Sequence, residues 1–138
     1  MSTRNLDKLM EPRSVVAIGA SARAGSVGAA VTRNLLDGGV HGDIHLVNPK
    51  GGQIGGKQVL RSLGQISEPP DLAVVMTPPE SVPGVIDELG RRGTKVAIVI
   101  TAGPGSGPEA ARINAEWRQL VLRAARPHLL RIVGPNCI

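Results

Sequence analysis

Five short aliphatic runs, most of them separated by helical patterns, constrain this chain more than any other feature. "SVVAIG" (14–19), "DIHLVN" (43–48), "DLAVVM" (71–76), "TKVAIVI" (94–100) and "LLRIVG" (129–134) read as strands. Runs of this length that are apolar throughout belong to strands buried on both faces of a sheet. Between them, Ser26 can cap a helix over 27–37 that places Val27, Ala30, Val31 and Leu35 on one face and stops at Gly38-Gly39. Thr77-Pro78-Pro79 opens a second helix, in which Val82, Val85, Ile86 and Leu89 keep helical spacing up to Gly93. Ser106 and Glu109 fit a capping box for a third, with Ile113, Trp117, Leu120 and Val121 sharing a face. The stretch "GGQIGGKQVLRSLGQI" (51–66) reads as irregular, with room for a strand turn and one short helical turn. The alternation predicts one α/β domain on a doubly wound parallel sheet of about five strands with flanking helices.

Composition agrees with that layering. There is no Phe or Tyr, and Trp117 is the only aromatic residue. The core must be packed from Val, Ile, Leu and Ala. A single cysteine, Cys137, excludes an internal disulfide. No signal peptide precedes the first strand, and no apolar run approaches the roughly 20 residues of a membrane span. The expectation is a soluble, cytoplasmic protein. The net charge of +5 suits an anionic partner. Most arginines, however, are scattered over helical patterns (Arg33, Arg91, Arg92, Arg112, Arg118, Arg123, Arg126) and read as solvated faces. Neither a nucleic-acid-binding module nor stacking aromatics are present, so nucleic acid is not the expected partner.

In doubly wound sheets ligands sit outside the carboxyl ends of the strands, where strand order reverses. Four loops here follow strands: 19–28, 48–50, 77–79 and 100–103. The first, "GASARAGSVG", places Gly25 and Gly28 at a helix start, whose free N–H groups and partial positive charge attract phosphate. Ser21 and Ser26 can add hydroxyl donors and Arg23 a charge-assisted one. The same residues would also suit a plain tight turn, and the full G-x-G-x-x-G pattern is absent. The second loop, Asn48-Pro49-Lys50, lacks the acidic residue that would hold a ribose 2′-hydroxyl. A lysine there suits a ribose carrying an additional phosphate, as in NADP or coenzyme A, though it could equally be an ordinary exposed loop lysine. "MTPPESVP" and "ITAGPG" offer backbone amides and could line an adenine or a pantetheine arm, or merely connect the sheet. No carboxylate is spaced in sequence to orient His41, His45 or His128, which read as structural or solvated. Cys137 has no visible base to make it a nucleophile, and no metal-ligand spacing occurs.

"EPRSVVAIGAS", "VGAAVTRNLLDGGVHGDIHLVNPKG", "PDLAVVMTPP", "GTKVAIVITAG" and "GPNC" follow one another in one order and spacing. Together they resemble the CoA-binding domain of the nucleoside-diphosphate-forming acyl-CoA synthetases, related to the α subunit of succinyl-CoA synthetase. The resemblance runs from about Leu9 to the last residue. It implies a Rossmann-like domain over 1–138, the N-terminal part of a longer protein, with coenzyme A or acyl-CoA as cofactor. Ser21, Ala22, Arg23 and Ala24 would surround the CoA phosphates, with Gly19, Ala20, Ser26 and Val27 completing that loop's contacts. Lys50 would meet the 3′-phosphate, and Asn48 and Pro49 would shape its turn. Thr77-Pro78-Pro79 would form a wall by the nucleotide, with Thr where relatives carry an apolar residue. Ile100, Thr101 and Ala102 would lie along the cofactor's path, and Asn136 belongs to the "GPN" turn. Where relatives often carry a Glu after the fourth strand, this chain reads "TAGPGSGPE".

In that family catalysis passes through a phosphorylated histidine on a later domain, and the nucleotide binds an ATP-grasp domain. None of the three histidines here matches. The resemblance thus implies no catalytic residue in these 138: the chain binds CoA and turns nothing over alone. Its parent would be an acyl-CoA synthetase or a synthetase-like protein acyltransferase. Two readings from other classes stay open at this level, an NADP-binding domain of an oxidoreductase and a nucleotide-sensing or purely structural module.

Overall fold

The computed structural model describes residues 2–136; Cys137 lies outside them. Its elements are α1 (Leu6–Met10), β1 (Ser14–Ile18), α2 (Val27–Asp37), β2 (Asp43–Val47), β3 (Gln53–Ile54), β4 (Lys57–Leu60), β5 (Leu72–Val75), α3 (Val82–Arg92), β6 (Val96–Val99), α4 (Ala110–Ala125) and β7 (Arg131–Val133). The strands form one sheet in the order β3-β4-β2-β1-β5-β6-β7. Every pairing is parallel except the short β3–β4 hairpin. The five expected strands are all present and lie side by side as β2-β1-β5-β6-β7, with β7 at one edge of the sheet. The additional two come from the glycine-rich stretch, where β4 pairs parallel with β2 and a 3₁₀ turn follows over Leu63–Gln65.

β1 shows how the layers are built. Val16 and Ile18 join the core beneath α3 and α4, with Ala73, Val75, Ile86, Leu89, Trp117 and Val121. Val15 and Ala17 point to the other face, where Val31 and Leu35 of α2 cover them. This two-residue alternation, apolar in both phases, is why Val15–Ile18 carries no polar residue. Val82, Ile86 and Leu89 are fully buried along one stripe of α3, each contributing about 1.5–3 kcal/mol of burial. Gly93 ends that helix at φ 107°, a left-handed cap open to glycine.

Some local expectations fail. Val27 and Leu120 are 45% and 51% exposed, so neither belongs to the core face assigned to it. On α2 the fully buried residue is Thr32, whose hydroxyl donates to the Gly28 carbonyl at 2.6 Å. The capping box does not form: a 3₁₀ turn over Gly107–Glu109 precedes α4, and Ser106 makes no side-chain cap. Glu109 instead accepts from Arg112. Finally, His128 does have an orienting carboxylate, Asp87 Oδ1 at 2.9 Å from its Nε2. That partner lies 41 residues away on α3, beyond any local spacing rule. It ties the end of α4 to α3, with the ring packed so closely over Gly90 that a Cβ there would lie 2.3 Å from it. The hydrogen bond from His128, more than that from Arg91, holds the Asp87 carboxyl below its ordinary pKa.

Candidate functional site

β1 leads to one half of the sheet and β5 begins the other, so the strand order reverses between them. The Gly19–Gly28 loop leaves β1 at this point. Gly19 has φ 91°, and a Cβ on it would lie 2.9 Å from the Met76 carbonyl oxygen at the end of β5. Its N–H donates to Val47 at the end of β2. The loop is therefore wedged between the two neighbouring strand ends, and only glycine fits there. Gly28 is the matching contact from α2, since its Cβ would sit 2.9 Å from the Gly19 carbonyl oxygen. Two close approaches, nine positions apart in chain order, bring the start of α2 down onto the strand.

Within the loop the serines hold the backbone of Arg23. Ser21 Oγ accepts from the Arg23 N–H at 3.0 Å, and Ser26 Oγ donates to the Arg23 carbonyl at 2.7 Å. Ser26 also caps α2 by accepting from the Ala29 N–H. The Arg23 side chain is left exposed. The Asn48–Lys50 turn is fixed in the same way. Asn48 donates through Nδ2 to the Ala20 carbonyl and accepts through Oδ1 from the Lys50 N–H, both at 2.9 Å. One amide thus ties the first two loops together.

These loops meet at a cavity of about 720 Å³ whose lining includes Gly19, Arg23, Asn48, Pro49, Lys50, Thr77 and Pro78. Its apolar wall comes from Ile18, Val47, Leu63, Met76 and Val85. A second cavity of about 390 Å³ is lined by Val27, Gly28, Ile100, Thr101, Ala102 and Asn136. Met76, Thr77 and Pro78 line both, so the two adjoin along the carboxyl edge of the sheet. Thr101 Oγ1 donates to the Thr77 carbonyl at 2.7 Å, and Trp117 Nε1 donates to the Pro79 carbonyl at 2.7 Å. The Thr77 hydroxyl is buried and, among the described residues, has no partner.

Twelve of the eighteen residues expected at the site line one or both cavities. Ala20, Ser21, Ala22, Ala24, Ser26 and Pro79 do not. Ala20 is buried, and Ser21, Ser26 and Pro79 are engaged in the supporting hydrogen bonds above. The sequence reading missed Arg61, Ser62 and Leu63, which follow β4, and Ser81, Val85 and Glu88 at the start and on the flank of α3. The apolar pair that ends "KQVL" was the available signal: as a strand parallel to β2, it ends at the same edge of the sheet.

The chemistry of the donors suits a polyanion with an apolar arm. Among the described residues Arg23, Lys50 and Arg61 have no carboxylate within ion-pair distance. Glu88, the one acid in the lining, accepts from Arg92. No group of three or more His, Cys, Asp or Glu among the described residues could hold a metal ion. Among the described residues no helix is long and apolar enough to cross a membrane.

Comparison with known proteins is consistent with this geometry. The chain is 39% identical over 137 residues to the α subunit of an ADP-forming acetate–CoA ligase I of Pyrococcus furiosus, covering 96% of this chain and 29% of that protein. It is 38% identical over 127 residues to an ADP-forming acetate–CoA ligase of Methanocaldococcus jannaschii, covering 92% of this chain and 17% of the relative. Among solved structures, the apo form of the dinucleotide-forming acetyl-coenzyme A synthetase 1 of Ca. Korarchaeum cryptofilum superposes with a TM-score of 0.82 at 32% identity, over 95% of this chain and 28% of that one. The chain thus spans less than a third of the length of these relatives. The family model described as a CoA binding domain matches residues 13–138. The chain belongs to the CoA-binding domain family, and its cofactor is coenzyme A.

Proposed function

We propose that this chain is the CoA-presenting domain of a nucleoside-diphosphate-forming acyl-CoA synthetase, binding the cofactor and performing no turnover by itself. The observation that carries the reading is the set of unpaired cations, Arg23 and Lys50, on a cavity at the reversal of strand order. Arg23 meets the diphosphate, supported by the free N–H groups at the start of α2. Lys50 meets the ribose 3′-phosphate, its turn shaped by Asn48 and Pro49. The apolar wall around Met76 and Pro78 receives the adenosine or the pantetheine arm, and Ile100, Thr101, Ala102 and Asn136 lie along the remaining path. When bound, CoA supplies the thiol that accepts the acyl group. No catalytic group is proposed here: His41 and His45 line neither cavity, and His128 is engaged with Asp87 on α3. The acyl phosphate would come from phosphohistidine and ATP-grasp domains outside this chain. Relatives that are CoA ligases favour a synthetase over an acyltransferase as parent.

Calorimetric titration with CoA, dephospho-CoA, NADP, NAD and ADP tests the reading. CoA should bind tightest, and dephospho-CoA more weakly. Lys50→Ala should lower CoA affinity by about 1.5–3 kcal/mol, the size of a charge-assisted hydrogen bond, with dephospho-CoA barely affected. Equal losses for both ligands would remove Lys50 from the 3′-phosphate. A preference for NADP, or acyl-CoA formed from acid, ATP and CoA by these 138 residues alone, would sink the proposal.

A further inference from the structure

We infer that Arg61 is a second phosphate-binding cation of this site and sets, with Lys50, its preference for a ribose bearing a 3′-phosphate. The inference rests on the placement of that phosphate at Lys50. Five observations converge on Arg61. It lines the same cavity as Lys50 and Arg23. Its guanidinium is held in place, with Nη1 donating to the Pro49 carbonyl at 3.2 Å. It also lies against the turn: a Cβ at Gly51 would come within 3.2 Å of its Nε and 3.3 Å of its Cζ. Its backbone N–H is fixed by Gln65 Oε1 at 2.6 Å. Among the described residues no carboxylate pairs with it.

The chemistry follows from that placement. One N–H group of the guanidinium is used on Pro49, and the others remain to donate. A planar fork held beside an ammonium suits a dianionic phosphate better than either cation alone, because the fork makes two parallel hydrogen bonds while the ammonium adds a point charge. The glycine at position 51 gives the fork room to lie flat. Arg61 directly follows β4, so the β3–β4 hairpin places a specificity element in a stretch that reads as irregular in the sequence.

The experiment compares CoA and dephospho-CoA affinities in the unaltered chain, in Lys50→Ala, and in Arg61→Ala, Arg61→Gln and Arg61→Lys. Arg61→Ala and Arg61→Gln should each lose about tenfold or more of the preference for CoA, with dephospho-CoA affinity changed less than about threefold. Gln can still reach toward the Pro49 carbonyl, so it separates loss of charge from loss of the turn brace. Arg61→Lys should recover part of the preference, keeping charge without the fork. If Lys50→Ala abolishes the preference while the Arg61 variants keep it, the inference is overturned and the placement at Lys50 stands. Equal weakening of both ligands in the Arg61 variants also overturns it, making Arg61 a brace for the turn. An unaltered chain with no preference for CoA would sink the placement at Lys50, and the inference with it.

Discussion

Two sets of cations on this molecule differ in what faces them. On α3 and α4, Arg91 lies 3.0 Å from Asp87, Arg92 3.2 Å from Glu88, and Arg112 within 3.0 Å of both Glu109 and Glu116. All are three- or four-residue helical pairs on exposed surface, worth a few tenths of a kcal/mol each. At the carboxyl edge of the sheet, Arg23, Lys50 and Arg61 have no carboxylate within ion-pair distance among the described residues; backbone and amide hydrogen bonds hold the turns that carry them. The net charge of +5 therefore includes arginines paired on the helices and three cations gathered at the carboxyl edge. Position relative to the strand ends, more than the count of arginines, indicates where an anion goes.

That contrast can be attacked at the edge first. Gly19→Ala should destabilise the chain by about 2–5 kcal/mol, because it adds strain at a positive φ and a 2.9 Å contact with the Met76 carbonyl. Chemical denaturation would measure it, and a loss below about 1 kcal/mol would show the loop free to move away from β5. A smaller effect of opposite sign is expected at Thr77. Thr77→Val removes a buried hydroxyl without a partner while keeping the shape, and should raise stability by about 1 kcal/mol. A fall in stability would mean the hydroxyl is satisfied in solution. The smallest effect belongs to the helical surface. With its folded pKa depressed, the Asp87 carboxyl contributes stability that is present above its unfolded value near pH 4 and is lost as pH falls through the lower folded value. Asp87→Asn should flatten the acid side of the stability profile below about pH 4 and leave CoA affinity unchanged. An altered affinity would break the separation between the two cation sets.

The sheet was legible because its strands are apolar in both phases, as β1 is in Val15–Ile18. The helix boundaries at Ser26, Gly38 and Gly93 were legible for a similar reason, since each is set by a local rule. Contacts between segments distant in sequence were not. His128 finds Asp87 across 41 residues, and Arg61 reaches Pro49 only because β4 lies beside β2. α1 escaped notice because it is only Leu6–Met10, too short to show a period. It is anchored by Asn5, whose Nδ2 lies 3.2 Å from the carbonyls of Lys95 and Leu129. At the site, the order of the loops could be read from the strands, but the division of labour within them could not. Ser21 and Ser26 have the composition of phosphate donors, yet both are spent in part on holding Arg23.

Trp117 gives the molecule an optical property as well as a structural one. With no Tyr or Phe in the chain, tryptophan fluorescence here has a single source. That indole is shielded from water and hydrogen-bonded to the Pro79 carbonyl, just behind the wall that borders both cavities. Any rearrangement of the Thr77–Pro79 turn acts directly on its emission, so the domain carries its own gauge of that turn, readable without a label.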